Sequence, residues 1–421
     1  MALNKVKGTY DVLPTESKKW QALEAIIHQL LKDYNYQEIR TPIFEYSQVF
    51  HRDSEQSDMV TKETYNFLDR SDRQLTLRPE GTAGSIRAYV ENKLYANSDL
   101  TKMYYLGPNF RYERPQSGRF RQFYQFGIEA IGATNPLIDA EVITLSFDLI
   151  KRLGLKGVKV RVNSLGDEES KINFRKALVK YFTPIKDKLC ADCQKRLVTN
   201  PLRILDCKVD HKLKEFINCP IPTDYLSEKS SKHFAAVCAT LTASKIPYVL
   251  SPKLVRGLDY YSETVFEIEA DIEGFGAQNV LGGGGRYEGL VAEMGGPTTG
   301  AIGVAFGMER IILALEKEGV KFYEPDGLDV YLLVFDQKDM VYSMQLAHQL
   351  RSQQISVDLC FTQKSFKSQL KTALNLKSKY IVMIGEEEVK TNILTVKETD
   401  TQQQEHVPAS ILARHIKEKL K

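Results

Sequence analysis

The segment from Gly107 to Gly132 constrains the fold most, because it reads as two strand-like runs joined by an arginine-rich turn. Successive side chains of a strand point to opposite faces. One face of the second run therefore carries an aromatic ring, a carboxamide, a gap without a side chain and a carboxylate: Phe123, Gln125, Gly127 and Glu129. The first run ends near Arg111 and Arg114. Guanidinium groups bind phosphate or carboxylate bidentately. They also stack on aromatic rings, and the face of an aromatic ring accepts a purine. The pattern predicts a nucleotide site built on a sheet.

Other nucleotide-binding folds lack support in this sequence. There is no Gly-Lys dipeptide, and no G-x-G-x-x-G follows a predicted strand. A Walker-type phosphate loop and a dinucleotide fold are therefore not predicted. The H-E-x-x-H pattern, the nucleophile elbow and the protein-kinase signature set are also absent.

Composition sets outer limits on the protein class. The 421 residues predict two or three domains, and the net charge of +3 does not by itself require nucleic acid as a partner. The first fourteen residues have no apolar run of the signal-peptide kind, and no run approaches membrane-spanning length. A cytoplasmic protein without membrane contact is expected.

Three segments carry a family resemblance. Phe110–Glu113 reads FRYE and resembles the second signature motif of class II aminoacyl-tRNA synthetases. Leu254–Tyr261 reads LVRGLDYY and Gly282–Leu290 reads GGGGRYEGL, and both resemble signatures of the bacterial type of histidyl-tRNA synthetase. The order of the remaining segments is similar to that family from Gly8 onward. The Arg256 segment is highly specific, whereas a glycine run alone is weak.

The resemblance implies an α+β fold with three parts. A mainly antiparallel class II sheet flanked by helices forms a catalytic core at residues 1–322. A helical insertion domain interrupts it at 167–232, and an α/β anticodon-binding domain follows at 327–421. Strand and helix patterns alternate in that last segment, which independently predicts helices covering a mixed sheet. The insertion either contacts the acceptor arm of tRNA through phosphates or serves only as a solvated packing module.

The resemblance also implies a reaction and its partners. L-Histidine, ATP and tRNA(His) are the expected substrates, with Mg²⁺ bridging the phosphates and a histidyl-adenylate as intermediate. The extended stretch Glu38–Glu45 contains a proline and is similar to the dimer-forming first motif, so a homodimer is expected, with Thr41–Glu45 at its interface.

Site residues follow from the resemblance. The expected catalytic residues are Arg256 and Arg111. The expected ATP contacts are Arg111, Glu113, Arg119, Phe123 and Arg310. The expected histidine contacts are Glu80, Gly81, Thr82, Arg111, Gln125, Glu129, Arg256, Tyr260, Tyr261 and Tyr287.

Each residue has an implied role. Arg111 is expected at the α-phosphate, Arg310 at the γ-phosphate, and Phe123 against adenine. Arg256 is expected beside the α-phosphate and the histidine carboxylate. The amino group of histidine is expected at Glu80, Thr82 and Gln125. The imidazole is expected at Glu129 and Tyr261, with Tyr260 and Tyr287 as pocket walls. Gln116, Arg119 and Arg121 are expected to face ATP or the end of the tRNA.

Three of these positions also have a purely structural interpretation. Thr82 lies at a strand-to-helix junction and could simply cap the helix. The four glycines from Gly282 could form a simple wide turn, but beside Arg286 and Tyr287 they are expected to line the amino-acid pocket, since glycine tolerates positive φ and close backbone approach. Arg256 could form an ion pair with Asp259 or Glu263. By contrast, Arg310 lies in a first helical turn, where the helix dipole disfavours a cation unless an anion binds.

The cysteines leave a metal site open. Cys190 and Cys193 form a C-x-x-C pair, with Cys207 and Cys219 as further candidates. Zinc sites usually show a second close pair, and here eleven residues separate the other two cysteines. Reduced, partly buried thiols are the favoured interpretation, and no metal is assigned to them.

Two other functions compete with the synthetase. One is a catalytically silent paralogue that regulates ATP phosphoribosyltransferase, which typically lacks the C-terminal domain and a clear Arg256 motif. The other is a class II synthetase for a different amino acid, such as threonine or proline. Both motif and domain are intact here, which disfavours the first, and the Arg256–Tyr261 segment disfavours the second.

Overall fold

The computed structural model describes residues 3–52, 57–115, 118–275, 279–323, 327–362 and 364–420. The chain divides into two compact units, Met1–Tyr323 and Glu324–Lys421. Within the described ranges, every helix is too short or too polar to cross a membrane.

An eight-stranded sheet forms the centre of the first unit, in the order β1-β5-β6-β11-β10-β9-β7-β8. Its middle strands pair antiparallel, and only the outer pairs β1–β5 and β7–β8 are parallel. The strands are β1 Gln37–Glu38, β5 Thr101–Phe110, β6 Gln122–Ile131, β7 Val158–Ser164, β8 Tyr248–Leu250, β9 Tyr261–Ala270, β10 Val280–Tyr287 and β11 Ala301–Gly307. The predicted hairpin corresponds to β5 and β6, which pair along their full length.

A separate three-stranded sheet has the order β2-β4-β3, with β2 Phe44–Tyr46, β3 Tyr65–Leu68 and β4 Gln74–Leu77. The helices of the first unit are α1 Pro14–Asp33, α2 Asp58–Lys62, α3 Thr82–Glu91, α4 Pro136–Arg152, α5 Glu168–Phe182, α6 Ala191–Thr199, α7 Glu228–Ala243, α8 Leu290–Glu293 and α9 Met308–Lys317.

The amphipathic pattern of the first helix fixes how it packs. Proline occupies the first position of α1, where its missing N–H costs nothing. The helix then buries Leu23, Ile27, Leu30 and Leu31 in the main core. The apolar spacing of three and four residues therefore produces both the helix and its buried face.

The predicted insertion is helical and has its own small core. From α5 to residue 225 the chain forms two helices and several short 3₁₀ turns. Eleven buried residues there form a cluster that includes Phe174, Cys193, Cys207 and Cys219. Helix α7 instead packs Val237 and Leu241 into the main core, and the expected boundary at residue 232 falls inside this helix.

The glycine run does not form a turn. Gly282–Gly285 lie inside β10, and none of the four has a positive φ. A side chain would collide there with neighbouring strands: a Cβ at Gly284 would lie 2.0 Å from the carbonyl oxygen of Gly303. Close packing between strands is the physical reason for glycine here.

The second unit is a five-stranded mixed sheet with helices, in the order β13-β12-β14-β15-β16. Its strands are β12 Val330–Val334, β13 Val357–Leu359, β14 Tyr380–Ile384, β15 Ile393–Glu398 and β16 Gln404–Pro408. Its helices are α10 Met340–Ser352, α11 Phe366–Asn375, α12 Glu386–Thr391 and α13 Leu412–Lys419. The first three strands are parallel and the last two antiparallel. The predicted α+β class is confirmed, and β15 and β16 were not predicted.

Candidate active site

A cavity of about 550 Å³ opens on one face of the large sheet. Strands β6, β9, β10 and β11 and the starts of α3 and α9 contribute its lining. Twelve of the fourteen predicted site residues line it: Glu80, Thr82, Arg111, Glu113, Arg119, Phe123, Gln125, Arg256, Tyr260, Tyr261, Tyr287 and Arg310. The remaining two, Gly81 and Glu129, are buried behind this lining.

Glu129 lies in the interior of the sheet with 1% of its surface exposed. Its Oε1 accepts a hydrogen bond from Thr82 Oγ1 at 2.7 Å, and its Oε2 accepts one from Tyr287 at 2.6 Å. Burial raises the pKa of this carboxyl to about 8, although hydrogen bonds from Tyr287 and Thr82 act in the opposite direction. A carboxylate has about four acceptor positions, so this one keeps capacity for a further donor.

Tyr105 is a site residue that the sequence analysis missed. Its ring fills the gap that Gly127 leaves on the face of β6, and a Cβ on Gly127 would lie 2.3 Å from the ring. A Cβ on Gly81 would lie 2.1 Å from the same ring. The two glycines therefore admit Tyr105 beneath the cavity, 3.5 Å from Thr82 Oγ1. A tyrosine in β5 opposite a strand glycine was the available signal.

Glu80, rather than Thr82, caps the start of α3. The Glu80 carboxylate accepts hydrogen bonds from the backbone N–H groups of Thr82 at 2.6 Å and Ala83 at 2.8 Å. These donors are among the four unpaired N–H groups that begin any helix. The Thr82 hydroxyl is then available to orient Glu129, so the capping interpretation of Thr82 does not hold.

Arg256 lies flat against the glycine strand. A Cβ on Gly283 would lie 2.5 Å from the Arg256 guanidinium, so glycine is required for this approach. The guanidinium pairs with Glu267 on β9, and it lies 5.9 Å from the centroid of the Tyr261 ring. The partner of Arg256 is therefore Glu267, and not Asp259 or Glu263, the two acids that lie closer to it in the sequence. The Nε of Arg256 is buried and has no hydrogen-bond partner among the described residues.

Three tyrosines form the wall next to Arg256. The rings of Tyr260 and Tyr261 are 4.7 Å apart, and those of Tyr260 and Tyr287 are 5.5 Å apart. Burial raises the pKa of each phenol, so all three remain neutral donors and acceptors. The wall thus combines apolar ring faces with hydroxyl groups.

Arginines gather at the other end of the cavity. Arg111 donates from Nε to the Pro79 carbonyl at 2.9 Å, and its guanidinium lies 5.2 Å from the centre of the Phe123 ring. Glu113 lies 3.1 Å from Arg119 and 4.0 Å from Arg111. Two cations therefore share one carboxylate, which leaves an excess of positive charge beside an aromatic ring.

Arg310 adds a third cation at this end. It donates from Nη1 to the carbonyl of Val280 at 3.0 Å, which holds it over the cavity. Burial lowers its pKa, and the neighbouring cations Arg119 and Arg111 lower it further. Binding of a polyanion therefore stabilises the site, because it offsets the repulsion among these cations.

Three predicted contacts remain, of which Gln125 lines the cavity. Gln125 accepts a hydrogen bond from Asn109 at 2.8 Å, which orients its carboxamide. Arg121 lies 4.0 Å from the centre of the Tyr112 ring, outside the cavity lining. Gln116 lies outside the described residues.

Two family models match the chain. Residues 8–166 and 211–311 match the family model for histidyl-tRNA synthetase, and residues 329–419 match that for an anticodon binding domain. The chain belongs to the histidyl-tRNA synthetase family. The unmatched interval between residues 166 and 211 lies in the predicted insertion.

Relatives span the whole chain. A histidine–tRNA ligase of Acholeplasma laidlawii is 58% identical over 416 residues, which cover 99% of each chain. One from Bacillus licheniformis is 48% identical over 419 residues, again 99% of each. The structure of apo S. aureus histidyl-tRNA synthetase superposes with a TM-score of 0.85 at 39% identity and covers 99% of this chain and 100% of that one.

Proposed function

We propose that this chain joins L-histidine to tRNA(His), with ATP converted to AMP and diphosphate and histidyl-adenylate as the intermediate. One observation carries the proposal: a single cavity has three tyrosines at one end, with the Glu129 carboxyl group buried behind its lining, and three arginines with an aromatic ring at the other end. The first end suits an amino acid with a polar ring, and the second suits ATP. Formation of histidyl-tRNA from purified histidine, ATP and tRNA(His) tests it.

In the first step, a carboxylate oxygen of histidine attacks the α-phosphorus of ATP. An O–P bond forms, the bond to the β-phosphate oxygen breaks, and diphosphate leaves. Charge accumulates on the α-phosphate oxygens as this happens. Such a reaction needs positioning and charge neutralisation more than a side-chain base.

The ATP end supplies the positioning. We assign the α-phosphate to Arg111, the γ-phosphate to Arg310 and the adenine ring to Phe123. Arg111 and Arg310 are each held by a backbone carbonyl, so their guanidinium groups are oriented before ATP arrives. We assign further ATP contacts to Glu113 and Arg119, which already pair with each other.

Arg256 lines the cavity that contains both ends. It lines the cavity beside Tyr261 and against Gly283, and we assign it to the histidine carboxylate and the α-phosphate. Its unpartnered Nε is a donor that a substrate oxygen can satisfy. Arg256 and Arg111 are therefore the proposed catalytic residues.

The histidine end supplies selectivity. We assign the imidazole nitrogens to Glu129 and Tyr261, with Tyr260 and Tyr287 as walls. The α-amino group is assigned to Glu80, Thr82 and Gln125, and Gly81 permits the close approach of Tyr105 below them.

In the second step, a hydroxyl of the terminal tRNA ribose attacks the carbonyl carbon of the adenylate and AMP leaves. By resemblance this is the 3′-hydroxyl. We propose that the catalytic core spans residues 1–322. Two further parts are proposed to bind tRNA: the insertion, 167–232, and the C-terminal domain, 327–421. We place the reaction in the cytoplasm, as the family resemblance implies.

Mg²⁺ fits the donor set at the ATP end. This ion takes oxygen ligands and is usually held by one or two carboxylates together with substrate phosphates. Glu113 is a cavity-lining carboxylate among the arginines, and we propose it as the protein ligand nearest the ion. When bound, Mg²⁺ would neutralise phosphate charge.

Removing the second unit separates the two steps. A chain that ends before Gly327 should retain some adenylate formation, because every proposed active-site residue precedes that point. Its charging of tRNA should fall severely, since contact with the anticodon is lost. Pyrophosphate exchange and aminoacylation of the same preparation measure the two activities. A truncated chain that charges tRNA as well as the full chain would contradict the assignment.

We propose that the chain forms a homodimer through the small sheet. Strands β2 and β3 expose apolar side chains, with Phe44 54% and Leu68 58% accessible, and the rings of Phe44 and Phe67 lie 6.5 Å apart. Contiguous exposed apolar surface of this kind marks interaction sites. The patch includes Phe44, which lies in the segment Thr41–Glu45 of the stretch that resembles the dimer motif.

Charge placed on this patch should dissociate the dimer. We expect Phe44→Glu to shift the mass measured by light scattering toward the monomer and to raise the dissociation constant at least tenfold. Leu137→Glu is the matched control, because Leu137 is equally exposed at 54% but lies on α4. A Phe44 variant that stays as dimeric as the control would place the interface elsewhere.

A further inference from the structure

Three cysteines and one aspartate converge in the insertion, and none of the four lines the proposed substrate cavity. One ligand atom from each of Cys190, Cys193, Cys207 and Asp210 lies within 4.8 Å of all the others. Three of the four residues are buried and Cys190 is half-buried. The cysteines are free thiols. We propose that these four residues bind one zinc ion.

The spacing of the ligand atoms fits zinc. A tetrahedral ion with Zn–S bonds of about 2.3 Å separates its sulfur ligands by about 3.8 Å. The Sγ atoms of Cys190 and Cys207 are 3.8 Å apart, which is a ligand separation and far longer than a disulfide bond. Four ligands of this kind make a closed structural site, and soft thiolates select zinc over magnesium or calcium.

The sequence pattern now has the second pair that it lacked. Cys190-x-x-Cys193 is followed after thirteen residues by Cys207-x-x-Asp210, so the partner pair ends in aspartate. This is similar to the two close pairs of zinc ribbons. Cys219 is not a member of the group and is packed in the insertion's apolar cluster.

Backbone groups already orient the ligands. The N–H of Cys190 lies 3.1 Å from both oxygens of Asp210, and the N–H of Asp210 donates to Cys207 Sγ at 3.3 Å. N–H donors to sulfur stabilise thiolates and fix their direction. The two halves of the group therefore hold each other in place before an ion binds.

A metal here would connect the insertion to the active site. Cys207 is flanked by Asp206 and Lys208, which both line the cavity. Helix α6, which begins directly after Cys190, is followed by Asn200, and Asn200 donates to Asp259 in the Arg256 segment at 2.7 Å. The ion would fix both of these connections in a segment built largely of short turns.

Metal content tests the proposal. The full chain, purified without chelators, should contain about one zinc ion per chain, as measured by inductively coupled plasma mass spectrometry. Cys207→Ser should lose most of it. Cys219→Ser is the matched control, because it removes a buried cysteine of the same cluster and should keep the zinc.

A spectroscopic measurement keeps the test valid if a variant misfolds. Cobalt added to the metal-free protein should give thiolate charge-transfer absorption with the intensity of three sulfur ligands. Asp210→Cys supplies a fourth thiolate and should raise that intensity by about a third. The proposal would be overturned if the full chain contained no zinc and the metal-free chain gave no thiolate absorption with added cobalt. Equal zinc loss in Cys219→Ser, or a disulfide between Cys190 and Cys207 in protein purified with reductant, would also overturn it.

Discussion

Replacing Arg256 by histidine should slow adenylate formation by about 10²–10³, which corresponds to about 2.7–4 kcal/mol of lost transition-state stabilisation. Histidine keeps a possible donor but loses the planar, always-charged fork of arginine. Arg256 is fixed against Gly283 and paired with Glu267, so its guanidinium need not move during the reaction. The loss should therefore appear in turnover rather than in substrate affinity.

Single-turnover kinetics can distinguish this role from a structural one. Adenylate formation should slow strongly, whereas transfer from preformed adenylate should change much less. Glu267→Gln is the matched control, because it removes the ion pair and keeps the guanidinium. Equal slowing of both steps, equal effects of the two substitutions, or a drop in melting temperature large enough to explain the loss would make Arg256 a structural residue.

Replacing Glu129 by alanine should abolish histidine activation far more than it weakens ATP binding. The carboxylate is buried and oriented by Thr82 and Tyr287, so the imidazole loses a partner and those two hydroxyls lose theirs. A site whose buried polar groups pair with its substrate discriminates by about 10⁴–10⁵ against analogues that lack the matching group. Near-normal histidine affinity and turnover in this variant would contradict the assignment.

The same carboxyl predicts a pH dependence. Burial raises the pKa of Glu129 to about 8, so below that pH the group in the free enzyme is mostly protonated and cannot accept from an imidazole N–H through both oxygens. We expect kcat/KM for histidine to rise as the pH rises toward about 8 and this rise to be missing from Glu129→Gln. Glu24→Gln is the control, since burial also raises the pKa of Glu24, which lies on α1 outside the cavity. An unchanged profile in Glu129→Gln would remove Glu129 from histidine recognition.

Local patterns predicted much of the fold. Alternation identified the β5–β6 hairpin, helical spacing identified α1, and the strand–helix alternation after residue 327 identified the second unit. The glycine run was harder, because the cause of the glycines is a carbonyl of a strand that is distant in sequence, near Gly303. A wide turn was the structural alternative for this run, but interstrand packing places it in a strand, from which Gly282 and Gly283 line the cavity.

Contacts that arise only in the tertiary structure limited the prediction of the site. Tyr105 enters the site only because Gly81 and Gly127 make room for it. The partner of Arg256 is Glu267, on the next strand, rather than the acids nearest to it in sequence. A short turn brings Asp210 to the cysteines. The sequence analysis considered cysteines alone as metal ligands and therefore did not include this carboxylate. The chemical types were visible in the sequence, whereas the pairings required the tertiary structure.

The most direct test of the central claim is ATP–pyrophosphate exchange by the purified full chain with each amino acid supplied in turn. Histidine alone should support exchange, because the proposed pocket pairs its imidazole with Glu129 and Tyr261. Exchange with threonine or proline comparable to that with histidine, or no exchange with any amino acid, would contradict the account.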